Sequence, residues 1–186
     1  MAIQPSTGLT YQDLQRFPAD NLRRELIDGK LIVTAAPATR HQRVVAELVT
    51  ELTLYTRAHG GLVLPAPTDV FFSDVNVVEP DVLFVRADHL DRVEKKFIRS
   101  APDVVVEVSS PTTRRLELVR KRELYERFGV PEYWYVDLEA DRVEIHRLEQ
   151  GRYGTPRLLG RGERLTSEQA NGFDVEVDEL LGPPED

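Results

Sequence analysis

Two segments in the middle of the chain place an acidic residue inside an otherwise apolar run. Glu107 is the single polar residue in the valine run 104–108, and a second run, 79–85, repeats the pattern with Asp81. Runs of β-branched residues bounded by proline are typical of strands that are buried on both faces. We therefore predict strands over 79–85 and 102–108, each of which carries a carboxylate into the interior.

Apolar residues recur three and four positions apart in other segments, which is the spacing of one face of an α-helix. The first long helix begins at Thr39, where Thr39 and Gln42 have capping-box spacing, and ends at Gly60. A second helix is predicted over 113–128, and a short one over 10–17.

Shorter runs predict the remaining strands. A hairpin over 24–33 turns at Asp28 and Gly29, a dipeptide that favours tight β-turns. Further strands are predicted at 62–64, 69–72 and 131–137, and a terminal hairpin at 142–148 and 151–159, whereas 88–99 is predicted as a polar connection. Strands flanked by helices in this order indicate an α+β or mixed α/β fold. No repeat or linker divides the chain, so a single domain over 1–186 is predicted.

Composition narrows the function classes. The chain contains no cysteine, which excludes disulfides, thiolate zinc sites and cysteine nucleophiles. It also lacks a long apolar run and a basic segment followed by an apolar one, so we expect no membrane span, no secretory signal and a cytoplasmic location. The net charge of −8 argues against non-specific coating of nucleic acid, although it allows a local basic rim.

Asp81 and Glu107 can come within reach of one ion if their strands are neighbours. Two carboxylates alone would repel each other and raise the pKa of one of them. Mg²⁺ or Mn²⁺ would relieve this repulsion, because both are hard cations that prefer oxygen ligands. The backbone carbonyl of Val108 could supply a further ligand.

The second predicted helix carries a lysine on its core-facing side. Lys121 lies three residues after Leu118 and four before Tyr125, near the middle of the apolar stripe. Lysine is rarely buried without a partner, so we expect it to contact the carboxylates of the preceding strand. From there it could position the attacking water or help to deprotonate it.

Taken in order, these residues resemble the PD-(D/E)XK nuclease superfamily. Pro80 and Asp81, then Glu107, then a lysine follow its pattern, although the usual lysine position holds Ser109. From about residue 10 to 181 the chain is similar to one branch, the Uma-two family of endonucleases, which carries the lysine on the following helix. The segments that carry this resemblance are 24–29, His41, 78–85, 101–108, 110–113, Lys121 with Tyr125, and 129–137.

The resemblance implies a restriction-endonuclease-like α+β core, ordered αβββαβ with a mixed sheet flanked by helices, here with an added N-terminal and a C-terminal hairpin. It also implies hydrolysis of DNA phosphodiester bonds, with Asp81 and Glu107 as ligands of Mg²⁺ (or Mn²⁺) and Lys121 as the residue that positions water. Glu25 would be a further acidic ligand or a contact to Lys121, and His41 would contact a phosphate or a carboxylate. DNA is the expected partner, and a homodimer is an arrangement that many enzymes cutting duplex DNA adopt.

Simpler interpretations of the same residues stay open. Asp81 and Glu107 could form a structural cluster with buried Arg or Lys, and Lys121 could extend its ammonium group into solvent. The protein would then be a catalytically silent binding module with a nuclease fold. A metal hydrolase of another phosphoester would use the same residues on a different substrate.

Overall fold

The computed structural model describes residues 8–18, 20, 22–34, 38–109 and 116–184. The segment 110–113, which carries part of the family resemblance, therefore lies outside the described residues. So does the start of the second predicted helix, residues 113–115. In chain order the elements are α1 (Tyr11–Leu14), β1 (Arg23–Ile27), β2 (Lys30–Thr34), α2 (Thr39–His59), β3 (Leu62–Pro65), β4 (Val70–Ser73), β5 (Asn76–Val78), β6 (Val82–Val85), a 3-10 helix (Ala87–Arg92), β7 (Ile98–Arg99), β8 (Val104–Val108), a π-helical segment (Leu116–Lys121), α3 (Arg122–Arg127), β9 (Glu132–Asp137), β10 (Arg142–Glu149), β11 (Arg152–Tyr153), β12 (Arg157–Gly160), β13 (Arg164–Thr166), β14 (Asp174–Glu176) and α4 (Val177–Leu181).

The larger sheet has the strand order β11-β10-β9-β8-β6-β3, and β12 also pairs with β10. Strand β8 runs antiparallel to β6 and parallel to β9, so Val106 stands opposite Val82 on one side and Trp134 on the other. A parallel pair needs a long crossover, and the π-helical segment and α3 supply it. Elements α2, β3, β6, β8, α3 and β9 give the order αβββαβ, which confirms the predicted α+β core.

A second sheet, with the order β2-β1-β5-β4-β7, covers one face of the larger one. The apolar side chains on that face form one core with α3, in which Ile27 and Val78 meet Val105 and Tyr125. The opposite face packs against α2 and α4 in a separate core around Trp134. The site residues Glu25, Glu107 and Lys121 come from elements of the first of these two layers or from the sheet face that it covers, whereas His41 comes from α2.

Most predicted elements are present with shifted ends. The N-terminal hairpin is confirmed, with positive φ angles of 51° at Asp28 and 70° at Gly29. The long helix α2 is also confirmed, but its predicted capping box is wrong because Ala38 is the N-cap and makes no side-chain bond. The described part of the second predicted helix is a π-helical segment followed by α3, and the predicted strands over 79–85 and 102–108 begin only at β6 and β8.

The predicted polar connection 88–99 contains most of the 3-10 helix and strand β7. The C-terminal hairpin is formed by β10 with β11 and β12, and β13, β14 and α4 follow it without having been predicted. Within the described part of the chain, none of the helices combines the length and the apolarity that a membrane crossing requires.

Candidate active site

The structure gathers the five predicted site residues from five places along the chain into one buried cluster. Glu25 comes from β1, His41 from the first turn of α2, Asp81 from the residue before β6, Glu107 from β8, and Lys121 from the end of the π-helical segment. All five side chains are buried. A cluster of this kind needs internal compensation of charge, since isolated buried charges are strongly unfavourable.

The sheet register brings the two strand carboxylates to the same level. Val82 pairs with Val106 across the antiparallel β6–β8 ladder, so Asp81 comes level with Glu107. The ladder also directs the N–H of Val108 at Asp81, and it donates to Oδ2 at 2.8 Å. Val108 thus contributes its N–H to the cluster, which differs from the carbonyl contribution considered from the sequence.

Asp81 is held in its ionised form by three donors. Besides Val108, His41 Nε2 lies 3.1 Å from Oδ2 and Arg23 Nη1 donates to Oδ1 at 2.7 Å. Burial on its own would raise the pKa of Asp81, but the His41 hydrogen bond and the Arg23 charge outweigh it and hold the pKa well below its usual range. His41 therefore contacts a carboxylate, one of the two roles that the resemblance suggested.

Lys121 joins the two glutamates. Its Nζ lies 2.8 Å from Glu25 Oε1 and 2.9 Å from Glu107 Oε1. One helical turn later Tyr125 donates its hydroxyl to the same Glu107 oxygen at 2.5 Å. Burial opposes the charge on Lys121, yet Glu107 and Glu25 outweigh burial and raise the pKa of the lysine, so it is an ammonium ion. π-Helical turns of this kind occur frequently at functional sites.

The two glutamates differ in how strongly they are held ionised. Burial raises the pKa of Glu107 and outweighs the opposing charge of Lys121, while the charge of Asp81 adds a smaller rise. Burial acts on Glu25 too, but Lys121 and Arg23 outweigh it and lower its pKa. Glu25 Oε1 also accepts the backbone N–H of Glu79 at 2.8 Å.

Arg23 is a member of the cluster that the sequence did not predict. Its guanidinium lies 2.7 Å from Asp81, and 3.6 Å from Glu25 and from Glu107. Alternation along β1 places Arg23 and Glu25 on the same face, but the predicted hairpin began at residue 24 and left Arg23 out. The adjacent Arg24 instead pairs with Asp20.

The oxygen donors suit a hard divalent cation. Oε2 of Glu25 and Oε2 of Glu107 are both buried and have no hydrogen-bond partner among the described residues, so each keeps unused lone pairs. As the side chains stand, however, no three acidic or histidine groups of the described residues are close enough together to enclose an ion. The donor chemistry therefore fits a metal ion. In this structure Arg23 and Lys121 lie between the carboxylates and pair with their other oxygens.

A surface cavity of about 390 Å³ adjoins the cluster through Glu79. Asp69 and Glu79 contribute acidic groups to its lining, and the exposed Lys95 and Lys96 contribute basic ones. Burial raises the pKa of Glu79 to about 7, although Arg23 opposes the shift. Next to Lys121 in sequence, Arg120 is exposed and Arg122 is half-buried.

Comparison with known proteins identifies the family of the chain. The model of the Uma2 family, described as "putative restriction endonuclease", matches residues 11–178, and the chain belongs to this family. A crystal structure of a putative nuclease belonging to DUF820 from Anabaena variabilis superposes with a TM-score of 0.77 at 18% identity, covering 93% of this chain and 97% of that one. At that identity the likeness shows a shared fold. No curated protein matches the chain.

Proposed function

We propose that the protein is a metal-dependent endonuclease that hydrolyses DNA phosphodiester bonds. The observation that carries this proposal is the meeting of three buried carboxylates, two of them with an unpartnered oxygen, beside a buried ammonium ion. Structural clusters normally satisfy their buried polar atoms, so unused oxygens support a ligand. Membership of a family described as restriction endonucleases supports phosphodiester hydrolysis as the chemistry.

Asp81 and Glu107 would hold Mg²⁺ or Mn²⁺, and Glu25 would add a carboxylate next to them. When bound, the ion supplies Lewis-acid stabilisation of the charge that develops on the phosphate. His41 acts through Asp81, since it contacts that carboxylate and fixes its orientation. It is therefore proposed as a positioning residue.

Lys121 would position the attacking water and donate to the phosphate. Glu107 and Glu25 raise its pKa, which favours a charged donor over a general base at neutral pH. Tyr125 and Lys121 share one oxygen of Glu107, so together they fix the direction of that carboxylate. Exposed Lys95 and Lys96 in the adjoining cavity offer charge for a phosphate backbone.

Cleavage of plasmid DNA tests this function. Wild type, Asp81→Ala and the control Asp74→Ala, which changes an exposed turn residue, would be incubated with supercoiled, linear and single-stranded DNA in Mg²⁺, Mn²⁺ or EDTA. We expect cleavage by wild type and Asp74→Ala with a divalent ion only. Absence of any wild-type activity above that of Asp81→Ala, across metals and substrates, would remove the main support for the proposal.

A catalytically silent binding module with the same fold is the second candidate. The observation in its favour is that Arg23 and Lys121 already compensate the carboxylates. Calorimetric titration with Mn²⁺ separates the two candidates. A ligand site binds Mn²⁺ and loses it in Glu107→Ala, whereas a purely structural cluster binds none and mainly loses stability in that variant.

A further inference from the structure

Arg23 is the cation that contacts all three acidic side chains of the cluster. It donates to Asp81 at 2.7 Å and lies 3.6 Å from both Glu25 and Glu107. Each of these carboxylates is almost fully buried, while the Arg23 side chain is 20% exposed. The Arg23 side chain thus reaches solvent, which the three carboxylate side chains hardly do.

The hold on Arg23 is electrostatic more than geometric. Its Nε and Nη2 atoms are buried without a hydrogen-bond partner, and the two contacts at 3.6 Å are too long for good hydrogen bonds. Lys121 differs, since its contacts to Glu25 and Glu107 are 2.8 Å and 2.9 Å and its side chain is only 2% exposed. Of these two cations, Arg23 is the one that can leave with fewer broken bonds and a shorter path to solvent.

We propose that Arg23 is an internal counter-cation that competes with the divalent ion for Asp81 and Glu107. Its guanidinium would stabilise the carboxylates when no metal is bound, and metal would bind as the guanidinium turns away from them. The inference rests on the proposed function, because it assumes that these carboxylates take a divalent ion. In this role Arg23 lowers the affinity for the metal, whereas Asp81 and Glu107 bind it.

Charge arithmetic gives the direction of the effect. When all three are ionised, Glu25, Asp81 and Glu107 carry three negative charges, and the two positive charges of Arg23 and Lys121 reduce the sum to −1. Without Arg23, two net negative charges and an unoccupied Asp81 oxygen face the ion. Like charges a few ångströms apart in a protein interact strongly, so removal of the guanidinium should tighten metal binding.

Calorimetric titration with Mn²⁺ tests the competition. Wild type, Arg23→Gln and the control Arg24→Gln would be titrated, since Arg24 is the adjacent arginine and pairs with Asp20 outside the cluster. We expect Arg23→Gln to bind Mn²⁺ at least about ten-fold more tightly than wild type, because a repelling charge has been removed. Arg24→Gln should bind as wild type does, and adding Glu107→Gln to Arg23→Gln should abolish the binding.

The outcomes separate this inference from the proposed function. Equal affinity in wild type and Arg23→Gln, both lost with Glu107→Gln, would overturn the competition and leave the metal site intact. Absence of Mn²⁺ binding in every variant would overturn the metal site itself and the inference with it.

A measurement on the wild-type protein covers the case in which Arg23→Gln does not fold. The arginine Nε–Hε signal of Arg23 can be identified in a nitrogen-15 spectrum by its loss in Arg23→Lys. Saturating Mg²⁺ should shift this signal while that of Arg24 stays in place. If the protein binds Mg²⁺ at the concentration used and the Arg23 signal does not move, the proposal is contradicted.

Discussion

Glu107 and Glu132 are buried glutamates on neighbouring strands of the same sheet, and the contrast between them separates a candidate site from a structural one. Glu107 lies on β8 and Glu132 at the start of β9, and both are at most 1% exposed. Alternation directs Glu107 towards the second sheet and α3, and Glu132 towards the face that α2 covers. Burial alone therefore does not distinguish them.

Glu132 has a donor for each of its oxygens. Oε2 accepts from Trp134 Nε1 at 2.8 Å and from Ser167 at 2.9 Å, and Oε1 accepts from the backbone N–H of Glu168 at 2.7 Å. Arg147 approaches the same oxygen at 3.4 Å. Neutral donors, with Arg147 as a longer charged contact, thus satisfy both oxygens of this carboxylate, which is the usual state of a buried polar group.

Glu107 is satisfied on one side only. Lys121 and Tyr125 contact its Oε1, while Oε2 has no hydrogen-bond partner and faces the Arg23 guanidinium at 3.6 Å. Two further buried acids lie in the same cluster, whereas the carboxylate nearest to the contacts of Glu132 is that of the exposed Glu168, which shares Arg147 with it. An unused oxygen among several acids, more than burial itself, is the feature that points to a ligand.

The largest effect should come from Glu107→Gln, which removes a charge and keeps the shape. We expect DNA cleavage to fall by about three orders of magnitude, because a lost metal ligand costs several kcal/mol of transition-state stabilisation. Stability at neutral pH should stay within about 1 kcal/mol, since burial and Asp81 already raise the pKa of Glu107 and disfavour its charge. Plasmid cleavage and urea unfolding measure the two quantities. If the loss of cleavage is no greater than the loss of folded protein, Glu107 is a structural residue like Glu132.

Glu132→Ala should show the opposite pattern. The substitution leaves Trp134, Ser167 and the N–H of Glu168 without their acceptor, so the free energy of unfolding should fall by about 3 kcal/mol. Cleavage per folded molecule should be unchanged, because the contacts of Glu132 given above include none of the proposed site residues. Urea unfolding at pH 7 gives the first value, with the exposed Glu149→Ala as control. A stable variant with lost cleavage would reverse the comparison.

Lys121→Met sharpens the contrast within the site itself. Glu25 and Glu107 would lose their shared cation, so stability should fall by about 2 kcal/mol. Cleavage should fall by about two orders of magnitude, as for other donors that stabilise a transition state. The matched control is Arg120→Met, which changes the exposed neighbour. Unchanged cleavage in folded Lys121→Met would assign Lys121 to structure alone.

The parts of the site that the sequence predicted are those that local patterns encode. Glu107 and Asp81 stood out because each interrupts an apolar run, and period-two alternation with neighbouring strands brings them level. Lys121 stood out because helical spacing places it on an apolar stripe, even though its turn is π-helical. Glu25 and His41 came from the family resemblance. Helical spacing also places His41 on the inward face of its helix, but nothing local marks a carboxylate in a hairpin as buried.

The parts that were missed depend on contacts between distant segments. Arg23 joins the cluster only because β1 packs in a second sheet through β5, a strand of three residues that is too short for a periodic signal. Glu132 is satisfied by Ser167 and Glu168, which lie 35 and 36 residues later in a segment without a predicted element. No pattern within one strand could have told the structural glutamate from the candidate ligand.

Glu79 offers the smallest test, because it lies between the two cases. It lines the surface cavity beside the cluster, and burial raises its pKa from 4.5 to about 7. A raised pKa means that the folded protein binds the proton more tightly than the unfolded chain does. The stability associated with the protonated carboxyl is therefore complete below about pH 4.5 and is lost as the pH rises through about 7.

Glu79→Gln should remove this dependence, because the amide does not ionise. The variant should match wild type near pH 4 and be more stable above pH 7 by about 1 kcal/mol, a value reduced for the partial exposure of the side chain. Urea unfolding at intervals from pH 4 to 8 measures the difference, with Glu149→Gln as the exposed control. A difference that is constant with pH would show that folding does not raise the pKa of Glu79, and one that grows towards acid would show that Glu79 is held ionised in the folded protein. In the second case Glu79 would resemble Asp81, whose carboxylate is stabilised by cations. It would then not share with Glu107 a pKa that burial raises.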